Sequence, residues 1–168
     1  MSKAAEIIRL LDLQPLAMEG GFFRETYRSR SMLTPACLGN SFPQNKAAGT
    51  AIYYLLTLDT YSALHRLPTD EIFHHYSGGP VEMLQLWPDG RSVVVLLGSD
   101  LAAGQRPQVV VPAGVWQGSR LLAGGDFALM GTTMAPGFDY ADYESGEREA
   151  LTMLYAGEAE RIAALTAG

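Results

Sequence analysis

From residue 50 onward the chain is broken into short strand-like runs, some alternating and some continuously apolar, separated by turn signals. Residues 51–58, 62–67, 70–77, 81–87, 92–97, 108–112, 115–121 and 127–134 all read this way. A period of two sends successive side chains to opposite faces, so each run is expected to be a strand with one face on a core. Pro88-Asp89-Gly90-Arg91 separates two of them. An Asp-Gly pair between apolar runs is a hairpin signal, because glycine supplies the positive φ the turn needs. Many short strands with regular turns close most readily into a barrel or sandwich, which leaves few open edges.

The flanks read differently. Residues 2–13 predict an amphipathic helix, with Ser2 as N-cap, Ala4, Ile7, Ile8 and Leu11 at helical spacing, and Pro15 ending it. Glu19-Gly20-Gly21 then introduces a strand over 22–30. Strict alternation puts Phe23, Glu25, Tyr27 and Ser29 on one face and Arg24, Thr26, Arg28 and Arg30 on the other. Residues 31–49 carry Pro35, Gly39, Pro43 and Gly49 and no period, and are expected to form a long loop. Residues 146–165 turn helical, with Leu151, Leu154, Tyr155, Ile162 and Leu165 as apolar positions. Helices are therefore expected only at the two ends.

A chain of 168 residues, 48% hydrophobic and 18% charged, is expected to form one domain over residues 1–168. Its net charge of -6 argues against a nucleic-acid partner. Glu6, Arg9 and Asp12 interrupt any leader-like apolar run, and no stretch is long and apolar enough to predict a membrane span. The one cysteine, Cys37, has no internal partner, so a reducing cytoplasm is expected.

Candidate chemistry is concentrated in residues 62–79, which hold all three histidines, His65, His74 and His75, beside Asp70 and Glu71. If Glu71 points inward, alternation sends Phe73 and His75 inward and Ile72, His74 and Tyr76 outward. A bulge would reverse that choice between His74 and His75. His65 lies on the preceding strand. An imidazole beside a carboxylate suits a metal site or an acid–base pair. The plainer alternative is a hydrogen bond between strands. His65 and Glu71 are expected in one pocket, within reach of each other directly or through water. Gln117 offers an amide to a ligand or to buried backbone groups. Arg24, with its neighbours Arg28 and Arg30, either meets an anion or keeps an edge strand from aggregating. The segment Phe138-Asp139-Tyr140-Ala141-Asp142-Tyr143-Glu144 either brings an acid or a phenol to the pocket rim or simply forms a turn after the last strand.

The spacing resembles the first motif of the cupin superfamily, with His65 at its first histidine, Glu71 at its glutamate and Gly78 at its glycine. Pro112-Ala113-Gly114-Val115-Trp116-Gln117 resembles the second motif. Leu67 and Gln117 stand where the metal-binding pattern has histidines, so no tightly bound metal and no cofactor are expected. Residues 19–27, 62–78, 108–117 and 135–140 together resemble one branch of small cupins described as predicted sugar epimerases, a branch with no established reaction. The resemblance implies a mostly β fold, a cupin-type double-stranded β-helix (jelly-roll barrel) with short N- and C-terminal helices. It also implies a homodimer. By analogy with the metal-free dTDP-sugar 3,5-epimerases, it implies a histidine base.

Two functions follow as expectations. One is a metal-independent epimerase or isomerase, with His65 as base, Glu71 orienting it and Tyr140 returning a proton. The other is a non-catalytic module that holds a small polar metabolite, a sugar or nucleotide sugar, among Phe73, His74, His75, Gln117, Arg24 and Asp139. A metal-dependent oxygenase is disfavoured by Leu67 and Gln117. A nucleotide sugar would need cations lining the pocket, so the placement of the Arg24 stripe discriminates.

Overall fold

A computed structural model describes residues 2–39 and 41–167. It is mostly β, with a six-stranded and a five-stranded sheet and three short helices. In chain order the elements are α1 (Lys3–Leu10), β1 (Gln14–Pro15), β2 (Phe22–Arg28), β3 (Met32–Leu33), β4 (Lys46–Ala47), β5 (Thr50–Thr57), β6 (Tyr61–Arg66) and β7 (Glu71–Gly78). There follow β8 (Val81–Leu86), β9 (Ser92–Leu97), β10 (Gln108–Val111), β11 (Trp116–Leu121), β12 (Phe127–Met134), β13 (Glu144–Ser145), α2 (Arg148–Leu154) and α3 (Ala159–Ala164). The larger sheet runs β1-β2-β5-β12-β7-β10 and the smaller β13-β6-β11-β8-β9. All named strand pairings are antiparallel, as in a jelly roll.

The core lies between the sheets, where Tyr54, Leu56, Phe73, Met83, Val111 and Met130 form one buried cluster. Their alternation partners are covered from outside. Leu55 packs with Ala4, Leu13 and Phe127 under α1. Leu64, Leu84 and Leu86 pack with Leu151, Tyr155, Ile162 and Leu165 of the C-terminal helices. Runs such as residues 54–56 are therefore continuously apolar, because both faces of the sheet are buried there. Each such fully buried Leu or Ile contributes about 1.5–3 kcal/mol.

The hairpin β8–β9 forms where Asp89-Gly90 predicts it. Gly90 has φ 89°, and its N–H donates to the Trp87 carbonyl at 2.9 Å. Ser2 caps α1, accepting from the Ala5 N–H at 3.2 Å. The helix stops at Leu10, before Pro15, because Asp12 adopts φ 53°. Residues 31–49 are more ordered than expected. β3 and β4 pair into a small ribbon, with a 3-10 turn at Pro35–Leu38 between them. Among the described residues no helix is long and apolar enough to cross a membrane.

Strict alternation in residues 22–30 does not hold. Glu25 pairs with Ile52 and Tyr27 with Ala51, so Thr26 is the extra residue of a bulge. Its hydroxyl donates to the Ala51 carbonyl at 3.2 Å. A second bulge lies in β6, where Gln117 faces His65 but Ser119 faces Ser62.

Candidate functional site

The six-stranded sheet and the connecting segments beside it enclose a narrow cavity of about 60 Å³. Its walls come from β2 (Phe23, Glu25, Arg28), β5 (Thr50, Ile52), β7 (Glu71) and β12 (Thr132, Met134). Leu16, Met18 and Glu19 close it from the N-terminal side, Leu67 from the β6–β7 turn, and Phe138 and Tyr140 from the segment after β12. The bulge at Thr26 is what lets Glu25 and Arg28 both face inward. Arg28 grips Glu25 through Nε at 2.9 Å and an Nη at 2.7 Å, and that Nη also donates to the Phe138 carbonyl at 3.1 Å. Arg24 sits beside Tyr53 on the outer face and is exposed. Arg24 is thus corrected from cavity contact to surface residue, and Arg28 takes the inward place.

Glu71 is buried at the inner end, where the Gln117 Nε2–H donates to its Oε2 at 2.7 Å. Burial holds the Glu71 carboxyl above the usual range, and the nearby Glu19 charge adds to this. His65, Thr132 and Gln117 pull it back down by smaller amounts. Glu71 is a carboxyl that keeps its proton longer than an exposed one.

His65 is 1% exposed and meets Glu19 rather than Glu71. Its Nδ1 lies 2.7 Å from the Ala63 carbonyl, which only accepts, so Nδ1 carries a proton. Nε2 then faces Glu19 Oε2 across 3.9 Å. The ring stacks on Tyr143, with centroids 4.9 Å apart and planes at 17°. No direct hydrogen bond joins His65 to Glu71: Gln117 holds Glu71, and Glu19 stands before the imidazole.

Glu19 was not singled out as a site residue in the sequence. Its Oε1 accepts from the Ser62 hydroxyl at 2.6 Å, and its backbone carbonyl accepts from the Ala63 N–H at 2.8 Å. The signal lay in the glycines that follow. Gly20 has φ 102°, and a Cβ there would sit 2.2 Å from the Tyr61 carbonyl. Only glycine lets the chain press Glu19 against β6. Tyr143, from the segment 138–144, donates to the Met18 carbonyl at 3.1 Å, and burial, then the Glu19 charge, push its phenol well up.

The other candidates scatter. Phe73 is 2% exposed and belongs to the core cluster, not the cavity wall. His74 lies on the outer face, 3.0 Å from the Thr133 hydroxyl and stacked on Tyr76. His75 is on the inward side, but its Nε2 donates to the Gly79 carbonyl at 3.0 Å, at the far end of β7. Neither histidine lines the cavity. Asp139 caps a 3-10 turn by accepting from the Ala141 N–H at 3.0 Å and stays exposed. Tyr140 does line the mouth, edge-on to Phe138 with centroids 5.3 Å apart.

The residues do not fit a cupin transition metal. Leu67 has no donor atom, Glu71 Oε2 is engaged by an amide, and His65 Nε2 looks toward Glu19. Among the described residues no three His, Cys, Asp or Glu side chains converge on one point.

Comparison with known proteins agrees with this fold. An uncharacterised protein of Saccharomyces cerevisiae is 32% identical over 133 residues, covering 74% of this chain and 66% of that protein. The chain thus spans slightly under two thirds of that relative. Solved structures of a Shewanella oneidensis protein (34% identical, TM-score 0.87, 99% of each chain) and a hypothetical protein from Leishmania major (30%, 0.87, 99% and 100%) superpose almost entirely. Oxalate decarboxylase from Bacillus subtilis, 17% identical with TM-score 0.53 over 88% of this chain and 35% of that one, shares the fold alone. The model described as "Cupin superfamily (DUF985)" matches residues 5–146, and the chain belongs to that family.

Proposed function

We propose that residues 1–168 act as one small-molecule-binding domain whose ligand enters the cavity and ends at Glu71. The observation that carries this is Glu71 itself. A buried carboxyl facing a cavity, held by one amide and raised by burial, has a cost that a structural role does not explain. The ligand is small and lacks a diphosphate. Arg24 and Arg30 are exposed and outside the wall, and Arg28 is already neutralised by Glu25. A metabolite screen by thermal shift tests the reading, since a ligand binding only the native state raises the melting temperature. Hits should vanish in Ile52→Trp, which fills the cavity. Hits retained in that variant would refute it.

A second reading, metal-independent isomerisation, is favoured by Glu71, whose carboxyl is raised by burial, sharing one cavity with a second carboxyl, Glu19. A carboxyl that holds its proton beside a second carboxyl suits proton removal and return. His65 then positions Glu19 instead of acting as the base. Solvent deuterium should enter the hit ligand with the native protein and not with Glu71→Gln.

The homodimer expected from the resemblance has a suitable surface. Beyond α1, the outer face of the six-stranded sheet shows Tyr27, Tyr76 and Val110 at 57%, 53% and 49% exposure. Light scattering giving a monomer mass at micromolar concentration would exclude it.

A further inference from the structure

The charges of the cavity do not balance. Among the described residues Arg28 is the one cation lining it, and it is committed to Glu25 through two hydrogen bonds. Glu19 and Glu71 face the same space without such a partner. Glu19 Oε2 looks across 3.9 Å to the His65 imidazole, beyond hydrogen-bond distance. Beside Glu71, the amide of Gln117 has its nitrogen engaged, while its buried Oε1 has no partner. Two carboxyls therefore face the inner end with no free cation among the described residues of the wall to answer them. Apart from the hydroxyls of Thr50 and Thr132, the rest of the wall is largely apolar, with Phe23, Phe138 and Tyr140 presenting aromatic rings beside Ile52 and Met134. Aromatic faces attract cations, and more strongly where water is excluded. A metal ion does not answer this demand, since among the described residues no three ligating side chains converge.

We propose that the cavity takes a small organic ammonium compound, its charged end between Glu19 and Glu71 and its carbon chain along the aromatic wall. This rests on the reading that the cavity is the binding site. A neutral polyol would supply donors but leave the Glu19 charge unmatched. An anion would meet two acids and an arginine already engaged.

The test uses butylamine, butanol and butyrate, which share one four-carbon chain and differ in charge at neutral pH. Each is titrated into the full chain while methyl NMR follows Met18, Ile52, Leu67 and Met134, all in the cavity wall. Butylamine should shift these methyls with a Kd at least about tenfold below that of butanol, and butyrate should leave them unmoved. Glu19→Gln should keep butanol binding and erase most of the butylamine preference. Butanol or butyrate binding as tightly as butylamine would overturn the cationic class and leave the cavity standing as a site. Methyls unmoved by all three probes would overturn both.

Discussion

Replacing Lys46 with methionine should destabilise the protein by roughly 3–5 kcal/mol, the cost of stranding one partner of a buried ion pair. Lys46 and Asp142 pair with side chains only 6% and 10% exposed. The pair joins the β3–β4 ribbon to the segment that carries Phe138 and Tyr140 at the cavity mouth. The ammonium also lies 5.3 Å above the Phe42 ring. Methionine keeps the length and packing of lysine but leaves the Asp142 carboxylate desolvated and alone. For a chain of this size the melting temperature should fall by roughly 6–20 °C. The double variant Lys46→Met/Asp142→Leu removes both charges and should return to within about 1–2 kcal/mol of the native protein. Urea unfolding of the native, single and double variants closes the cycle. A single variant costing less than about 1 kcal/mol, as for an exposed pair, would refute the reasoning. So would a double variant as unstable as the sum of the singles.

Glu71 keeps its proton to a higher pH in the folded chain than in the unfolded one. Its contribution to stability is therefore full below the ordinary glutamate range and is lost as pH rises through the raised value. Glu71→Gln should flatten that fall, which urea melts across pH would register; an unchanged pH profile would show that Glu71 is not perturbed. Nitrogen-15 shifts of His65 should place its proton on Nδ1, and a proton on Nε2 would contradict the contact with Ala63. Gly78→Ala should destabilise by more than about 1 kcal/mol. Gly78 has φ 98°, and the added Cβ would lie 2.2 Å from the Phe127 carbonyl. Equal stability by urea unfolding would show that the close approach relaxes.

Much of the architecture was legible in the residues. Short apolar or alternating runs bounded by turn residues marked each long strand within a residue or two, since chain punctuation by glycine, proline and aspartate is local. Asp89-Gly90 announced its hairpin because a positive φ is a local demand. The two cupin-like motifs placed Glu71 and Gln117 in the interior, where they meet. The order within residues 31–49 was not legible, because two-residue strands carry no period and their ribbon is held by Lys46 reaching Asp142.

What the sequence determined by itself is the set of strands, turns and end helices, and the presence of polar residues on core-facing positions. Which of those residues share the cavity was decided only by the tertiary structure. Bulges in β2 and β6 reset the alternation, turning Arg28 inward and Arg24 outward, and bringing Ser62 and His65 to one face. A bulge is defined by two strands together, so one strand's pattern does not reveal it. The partners of His65 likewise arrive from afar: Glu19 through the close approach of Gly20 to Tyr61, and Tyr143 from beyond the last long strand. Spacing along the chain sets which face a side chain takes, but closure of the barrel sets what stands opposite it.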